Sequence, residues 1–227
     1  DLLEEVLYLV EYPTALMGNF NPSYLMIPEE LVITPMKEHQ RYFPVLKGHH
    51  LLPKFVTVRN GGAEHLEIVQ AGNEKVLEAR LADAKFFYDE DLKINLADNV
   101  EKLKTIVFQE KLGTIYEKMQ RVQKGTAVIS DLLLLGEDVK ERAMRAAFLA
   151  KADLVSNVVY EFPELQGIMG YKYAYAQGEH PLTSKAIAEH YMPKNADDEI
   201  PLTFEGLVCS MADKMDTIVG CFAAGIE

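Results

Sequence analysis

The stretch Leu149–Gly170, LAKADLVSNVVYEFPELQGIMG, decides how the second half of this chain is read. It reads as the end of one long amphipathic helix from about Glu137 to Tyr160, stopped by the Phe-Pro pair at 162–163 and followed by an apolar run between Gly167 and Gly170. Asp153 falls inside that helix. An acid there is a metal ligand, the remnant of one, or a polar group with a purely structural partner. The three readings differ in whether the chain carries bond-making chemistry of its own.

Working outward, residues 70 onward keep a helical texture. AGNEKVLEARLADAKFFYDEDL (71–92) has Val76, Ala79, Arg80, Asp83 and Phe87 at helical spacing. In LADNVEKLKTIVFQEKLGTIYEKMQRVQ (96–123), Asp98 with Glu101 three residues on reads as a capping box. Leu103, Ile106, Val107, Ile115, Met119 and Val122 fit one buried face. Further helices are predicted from Ser184 to before Pro193, and from Thr203 with Leu207, Met211, Met215, Ile218 and Phe222 on one stripe. Asp216 lies opposite that stripe beside the small residues Cys209 and Gly220, a face against which a second helix can pack closely.

The first seventy residues read differently. LVEYPTALMGNF, LMIPEELVITPM, YFPVLKGHHLLP and KFVTVRNGG are short apolar runs punctuated by Pro, Gly and Asn, as strands and turns are. GHHLLP reads as a hairpin tip, and PEELVITPMKEHQ splits into a short strand and a helical turn. The predicted class is α+β: a β-rich N-terminal portion, residues 1–92, and a mainly α-helical domain, residues 93–227.

A length of 227 residues suits one large domain or two small ones, and 48% hydrophobic with 26% charged residues is ordinary for a globular protein. No apolar run reaches the length of a membrane span, and no signal segment opens the chain. A start at Asp1 and an end in CFAAGIE suggest a piece of a longer polypeptide. Cys209 and Cys221, twelve apart with no CxxC, exclude a disulfide scaffold and a cysteine zinc site and suit a reducing cytoplasm. The net charge of −12 argues against a surface devoted to phosphates. Residues 101–150 nonetheless hold nine Lys and Arg against seven acids, +2, while residues 1–100 and 151–227 each sum to −7. Nucleic-acid contact belongs in that middle segment if anywhere.

Motifs for several chemistries are missing: GxGxxG after a strand, GxxxxGK[ST], GxSxG and HExxH do not occur. His49 and His50 sit in a turn, where neighbouring side chains diverge, and His39 lies in a polar-aromatic cluster. From residue 98 onward only His180 and His190 are found. Helical metallohydrolases hold their metal with His and Asp from several helices. Asp153, Asp213 and Asp216 lack the imidazoles such a site needs.

Several blocks taken together carry a resemblance. NGGAEHLEIVQAGNEKVLEARLADAKFFYDEDLK, VEKLKTIVFQEKLGTIYEKMQRV, KADLVSNVVYEFPELQGIMGYKYA and ADKMDTIVGCF occur in order, with VEYPTALMGNF and MKEHQRYFPV upstream. They resemble the β subunits of bacterial-type heterotetrameric glycyl-tRNA synthetases over nearly the whole chain. The resemblance implies a ligase in which the α subunit holds the glycine- and ATP-binding site, with its Mg, while the β subunit is needed for activity and supplies most of the tRNA recognition. It implies that the early residues end a region similar to the B3/B4 domain of phenylalanyl-tRNA synthetase. The helical residues would form an HD-like domain, named for a metal-dependent phosphohydrolase superfamily.

In the HD signature Asp153 fills the dyad's Asp position, Ala152 stands where its His belongs, Lys118 or a neighbour replaces the early-helix His, and the late Asp is Asp213 or Asp216. The resemblance therefore implies no catalytic residue, metal or cofactor in this piece. The implied partners are the α subunit and tRNA-Gly in the cytoplasm, with no DNA and no membrane. Lys102, Lys104, Lys111, Lys118, Arg121 and Lys124 are the candidate tRNA phosphate contacts. Two other readings are an active HD-type phosphohydrolase acting on nucleotides or nucleic-acid ends, with a metal on Asp153 and Asp216, and amino-acid editing around His39.

Overall fold

A computed structural model describes residues 2–225, and the chain divides into two compact units, Asp1–Asp89 and Glu90–Glu227. The first unit opens with α1 (Leu2–Leu9) and holds a three-stranded antiparallel sheet in the order β1-β3-β2. Strand β1 (Pro13–Asn19) pairs with β3 (His50–Asn60) from Pro13↔Asn60 to Asn19↔Lys54. Strand β2 (Phe43–Lys47) joins β3 through the predicted hairpin, whose tip Gly48 takes a φ of +63° that favours glycine. Pro44 is accommodated because β2 is an edge strand, where a missing N–H breaks no inner ladder.

The short strand expected within residues 28–40 is not formed, while the helical turn expected there is. Pro28 precedes α2 (Glu29–Thr34), and a π turn follows over Pro35–His39. Glu29 and Glu30 sit at the helix N-terminus, where the backbone dipole favours acids. Leu31, Val32 and Met36 are fully buried with Phe55 of β3, and Tyr42 stacks on the Phe55 ring at 4.7 Å. Helix α3 (Leu66–Asp91) buries Leu77, Leu81 and Ala84 on one stripe.

The second unit is helical. Helix α4 (Leu96–Lys102) is capped by Asn95, whose side chain accepts from the Ala97 N–H, so the predicted Asp98–Glu101 box is not the cap. The predicted continuous helix through residue 122 is also broken. A short hairpin of β4 (Val107–Gln109) and β5 (Gly113–Thr114) intervenes, and Val107 is exposed. Gly113, at φ +84°, turns the chain, and a capping box forms instead between Thr114 and Glu117 at the start of α5 (Ile115–Leu132).

Helix α6 (Glu137–Leu149) ends earlier than predicted. A 3-10 turn (Ala152–Val155), α7 (Asn157–Glu161), α8 (Ile168–Ala176) and α9 (Pro181–Glu189) follow. The last helix, α10 (Phe204–Ala224), starts where predicted, is capped by Thr203 and packs against α5, α6 and α9. It turns its small face inward: Ala212 approaches Gly125 of α5, and the Cys209 thiol lies 3.1 Å from the Ala143 carbonyl oxygen. Met211, Met215, Ile218 and Phe222 of the predicted stripe are exposed.

Candidate functional site

Asp153 is fully buried, in the 3-10 turn rather than inside a helix. Its Oδ2 accepts the backbone N–H groups of Gly167 at 2.6 Å and Gly170 at 2.9 Å. Both glycines are required by the packing. Gly167 has a φ of +80°, and a Cβ on it would lie 2.6 Å from Tyr191 Cδ2. A Cβ on Gly170 would lie 2.7 Å from Ile187 Cγ2 and 3.1 Å from Asp153 Oδ2. The apolar run between the two glycines is thus the docking loop for this carboxylate. Asp153 Oδ1 has no hydrogen-bond partner. Burial pushes the Asp153 pKa up to about 6 against the pull of the two amides and of Lys151.

Around Asp153 lies a buried charge network. The Lys151 ammonium stands 3.7 Å from Asp213 Oδ2 and 3.7 Å from the centre of the Tyr191 ring. Its burial pushes its pKa down to about 8, opposed by Asp213. Lys118 is 3% exposed, and its ammonium reaches Thr217 Oγ1 at 2.7 Å, Asp216 Oδ2 at 3.2 Å and Asp213 Oδ1 at 3.3 Å. The Asp213 Oδ1 contact is an ion pair without hydrogen-bond geometry, so that oxygen also lacks a hydrogen-bond partner. Arg121 forks onto Asp216 with Nε at 2.6 Å from Oδ1 and Nη2 at 3.2 Å from Oδ2. His190 donates its Nδ1–H to the Ile187 carbonyl oxygen at 2.6 Å, its Nε2 is buried without a partner, and burial holds its pKa well below the usual histidine value.

These residues do not fit a metal. Among the described residues no trio of His, Cys, Asp or Glu is placed to hold one. The carboxylates that face each other are separated by ammonium groups, which repel a cation. His190 is the one imidazole in the network.

The structure separates the six sequence-selected cations. Lys118 and Arg121 are drawn into the network just described. Lys111 is exposed along its length, but its ammonium caps the end of α10 on the Ala224 carbonyl at 2.9 Å. Lys102, beside Asn99 at 2.9 Å, and Lys104, ion-paired to Glu101 at 2.5 Å, are exposed at the α4 end. Lys124 is exposed on α5, at the edge of an open groove of about 570 Å³ between α5 and α10, walled by Val128, Leu132, Met215 and Val219. His39 is exposed at the end of the π turn, and His49 and His50 lie at the hairpin tip. Sequence reasoning passed over Lys151, His190 and Tyr191. The only signal for them was adjacency, Lys151 in KAD and the pair in EHY.

Comparison with known proteins puts the chain in the class of aminoacyl-tRNA synthetase subunits. The family model described as "Glycyl-tRNA synthetase beta subunit" matches residues 1–227. The chain belongs to the glycyl-tRNA synthetase beta subunit family. Similar relatives carry the name glycine--tRNA ligase beta subunit. Those from Clostridioides difficile (strain 630), Listeria welshimeri and Bacillus subtilis (strain 168) are 59%, 57% and 54% identical over 227 residues. In the first two the match covers 100% of this chain and 33% of the relative, so the chain spans about a third of their length. Among the described residues no helix is long and apolar enough to cross a membrane.

Proposed function

We propose that this chain is a segment of a glycine–tRNA ligase β subunit that contributes scaffold, contact with the α subunit and contact with tRNA, while ATP, Mg and glycine are handled on the α subunit. The observation that carries this reading is the identity of 54–59% along the whole 227 residues to proteins of that name. The interior agrees with it, because the buried carboxylates are engaged by lysines and backbone amides rather than held open toward a substrate. A cytoplasmic location, with no DNA or membrane partner, is part of the same reading.

The surface supports two kinds of contact. The α5–α10 groove is apolar and suits a protein neighbour such as the α subunit. Lys102, Lys104 and Lys124 carry exposed ammonium groups on the net-basic segment, and Lys111 lies between them in sequence. They fit the role of positioning charges on tRNA phosphates, which hold a nucleic acid without reading its sequence. Lys118 and Arg121 act behind them by holding α5 on α10.

The test is charge reversal at Lys102, Lys104 and Lys124 in the full α and β enzyme. The expected result is a KM for tRNA raised several-fold, with a shallower salt dependence and an unchanged KM for glycine. An unchanged KM for tRNA at low salt would remove tRNA contact from this segment.

A further inference from the structure

The net-basic segment also holds a cleft that phosphate contacts leave unused. It lies in the helical unit, between residues of α4, α5 and α6, and has a volume of about 100 Å³. Val100 and Met119, 2% and 3% exposed, supply an apolar floor. The half-buried rings of Tyr116 and Phe148 line it, together with the carboxamides of Gln120 and Gln123. Gln123 donates from Nε2 to the Met144 carbonyl oxygen at 3.2 Å, which leaves its own carbonyl oxygen as an acceptor. Gln120 is exposed and offers both a donor and an acceptor. A cation stands over each ring. The Lys104 ammonium is 4.6 Å from the centre of the Tyr116 ring, and the Arg145 guanidinium is 5.4 Å from that of Phe148. Both cations are exposed, and each is paired with one carboxylate, Lys104 with Glu101 and Arg145 with Glu179.

We propose that this cleft takes one unpaired RNA base, with the neighbouring phosphates on Lys104 and Arg145. It is smaller than the roughly 300 Å³ at which pockets for whole small molecules begin, so it suits a single ring system whose sugar and phosphate stay outside. Aromatic rings stack on the face of a base, carboxamides pair with the donors and acceptors on its edge, and cations at the rim meet its phosphates. A base stacked and paired inside a duplex cannot enter such a cleft, so the ligand is a loop or strand end. An apolar side chain of a protein partner would fill the floor but leave the carboxamides and both cations without a role. The inference rests on the reading that this segment meets tRNA, and it adds to those phosphate contacts a base contact of different chemistry.

The experiment measures KM for tRNA, its salt dependence and KM for glycine in the full α and β enzyme. Tyr116→Leu and Phe148→Leu should each raise KM for tRNA about tenfold, the scale of one lost base stack. Their salt slope should equal that of the wild type, because no charge is removed, and KM for glycine should not change. Two further variants separate stacking from packing. Tyr116→Trp keeps a ring and should hold KM for tRNA at or below the wild-type value, while Gln120→Ala, at an exposed position, should raise it about threefold. A raised KM in Tyr116→Trp beside an unchanged one in Gln120→Ala would mark a packing defect and overturn the proposal. Wild-type KM in both leucine variants, with reversal of Lys102, Lys104 and Lys124 still effective, overturns the base contact alone. Wild-type KM in all of them removes the phosphate reading as well. Leucine variants that weaken association with the α subunit while KM for tRNA holds would assign the cleft to a protein side chain, which also overturns the proposal.

Discussion

Replacing Asp153 with asparagine should preserve the fold and raise its stability at neutral pH. Asp153 Oδ2 accepts two backbone amides, at 2.6 and 2.9 Å, and Oδ1 accepts none. An asparagine can place its oxygen at Oδ2 and its NH2 at Oδ1, keeping both bonds. Burial lifts the folded-state pKa to about 6 from 3.8, a value that already contains the attraction of Lys151. A gap of about two units, at about 1.4 kcal/mol each, makes ionisation of this group in the folded chain unfavourable by about 3 kcal/mol. The folded pKa is the higher one, so the stability contributed by the protonated carboxyl is complete below about pH 4 and is lost as pH rises through 6. The amide has no proton to lose. Urea unfolding followed by circular dichroism from pH 4 to 7.5 should show equal stabilities at the acid end. By pH 7 the variant should lead by up to about 3 kcal/mol. A difference that stays constant with pH, or a variant more than about 1 kcal/mol weaker at pH 7, would refute the reasoning.

Two further substitutions test the packing around this loop. Gly167→Ala meets both a φ of +80° and the Tyr191 ring at 2.6 Å, and should cost about 3 kcal/mol. Gly178→Ala has a similar φ of +86° with nothing within 4 Å, and should cost only about 1 kcal/mol; equal losses would show that the ring contact is irrelevant. Asp91, 6% exposed, accepts from the Asn157 and Val158 amides at 2.9 and 3.0 Å, from Asn157 Nδ2 at 2.8 Å and from the Tyr173 hydroxyl at 2.8 Å. Asp91→Ala strands those donors and should lower stability by about 3–5 kcal/mol, read as a drop in urea midpoint at unchanged slope.

The parts of the fold legible in the sequence were those with local signals. Thr203 announces α10, and the glycine between YFPVL and KFVTV announces the hairpin. The short strand expected within residues 28–40 failed because its apolar residues also satisfy a helix, and only burial alongside Phe55 decides between the two. The break at Gly113 was hidden because the apolar spacing on either side of it continues the same period. For the site, the three aspartates were legible as a group of interest, but their partners were not. Asp153 is held by amides fourteen and seventeen residues further on, and Lys118 meets Asp216 across ninety-eight positions. Pairings of that separation exist only once packing has brought the helices together. The imidazole shortage was readable, whereas the burial of Lys118 and Lys151 was not, because lysine on a helix ordinarily faces water.

Helix α10 carries its charges inward and shows Met211, Met215, Ile218, Val219 and Phe222 to the outside. For anyone handling the 227-residue chain by itself, this reverses a common diagnosis. Retention on a hydrophobic column, binding of an environment-sensitive dye, or an apparent mass that climbs with concentration would each be produced by a correctly folded molecule. Sample quality is therefore better judged by the cooperativity of melting, which reports the interior, than by behaviour that reports this ridge.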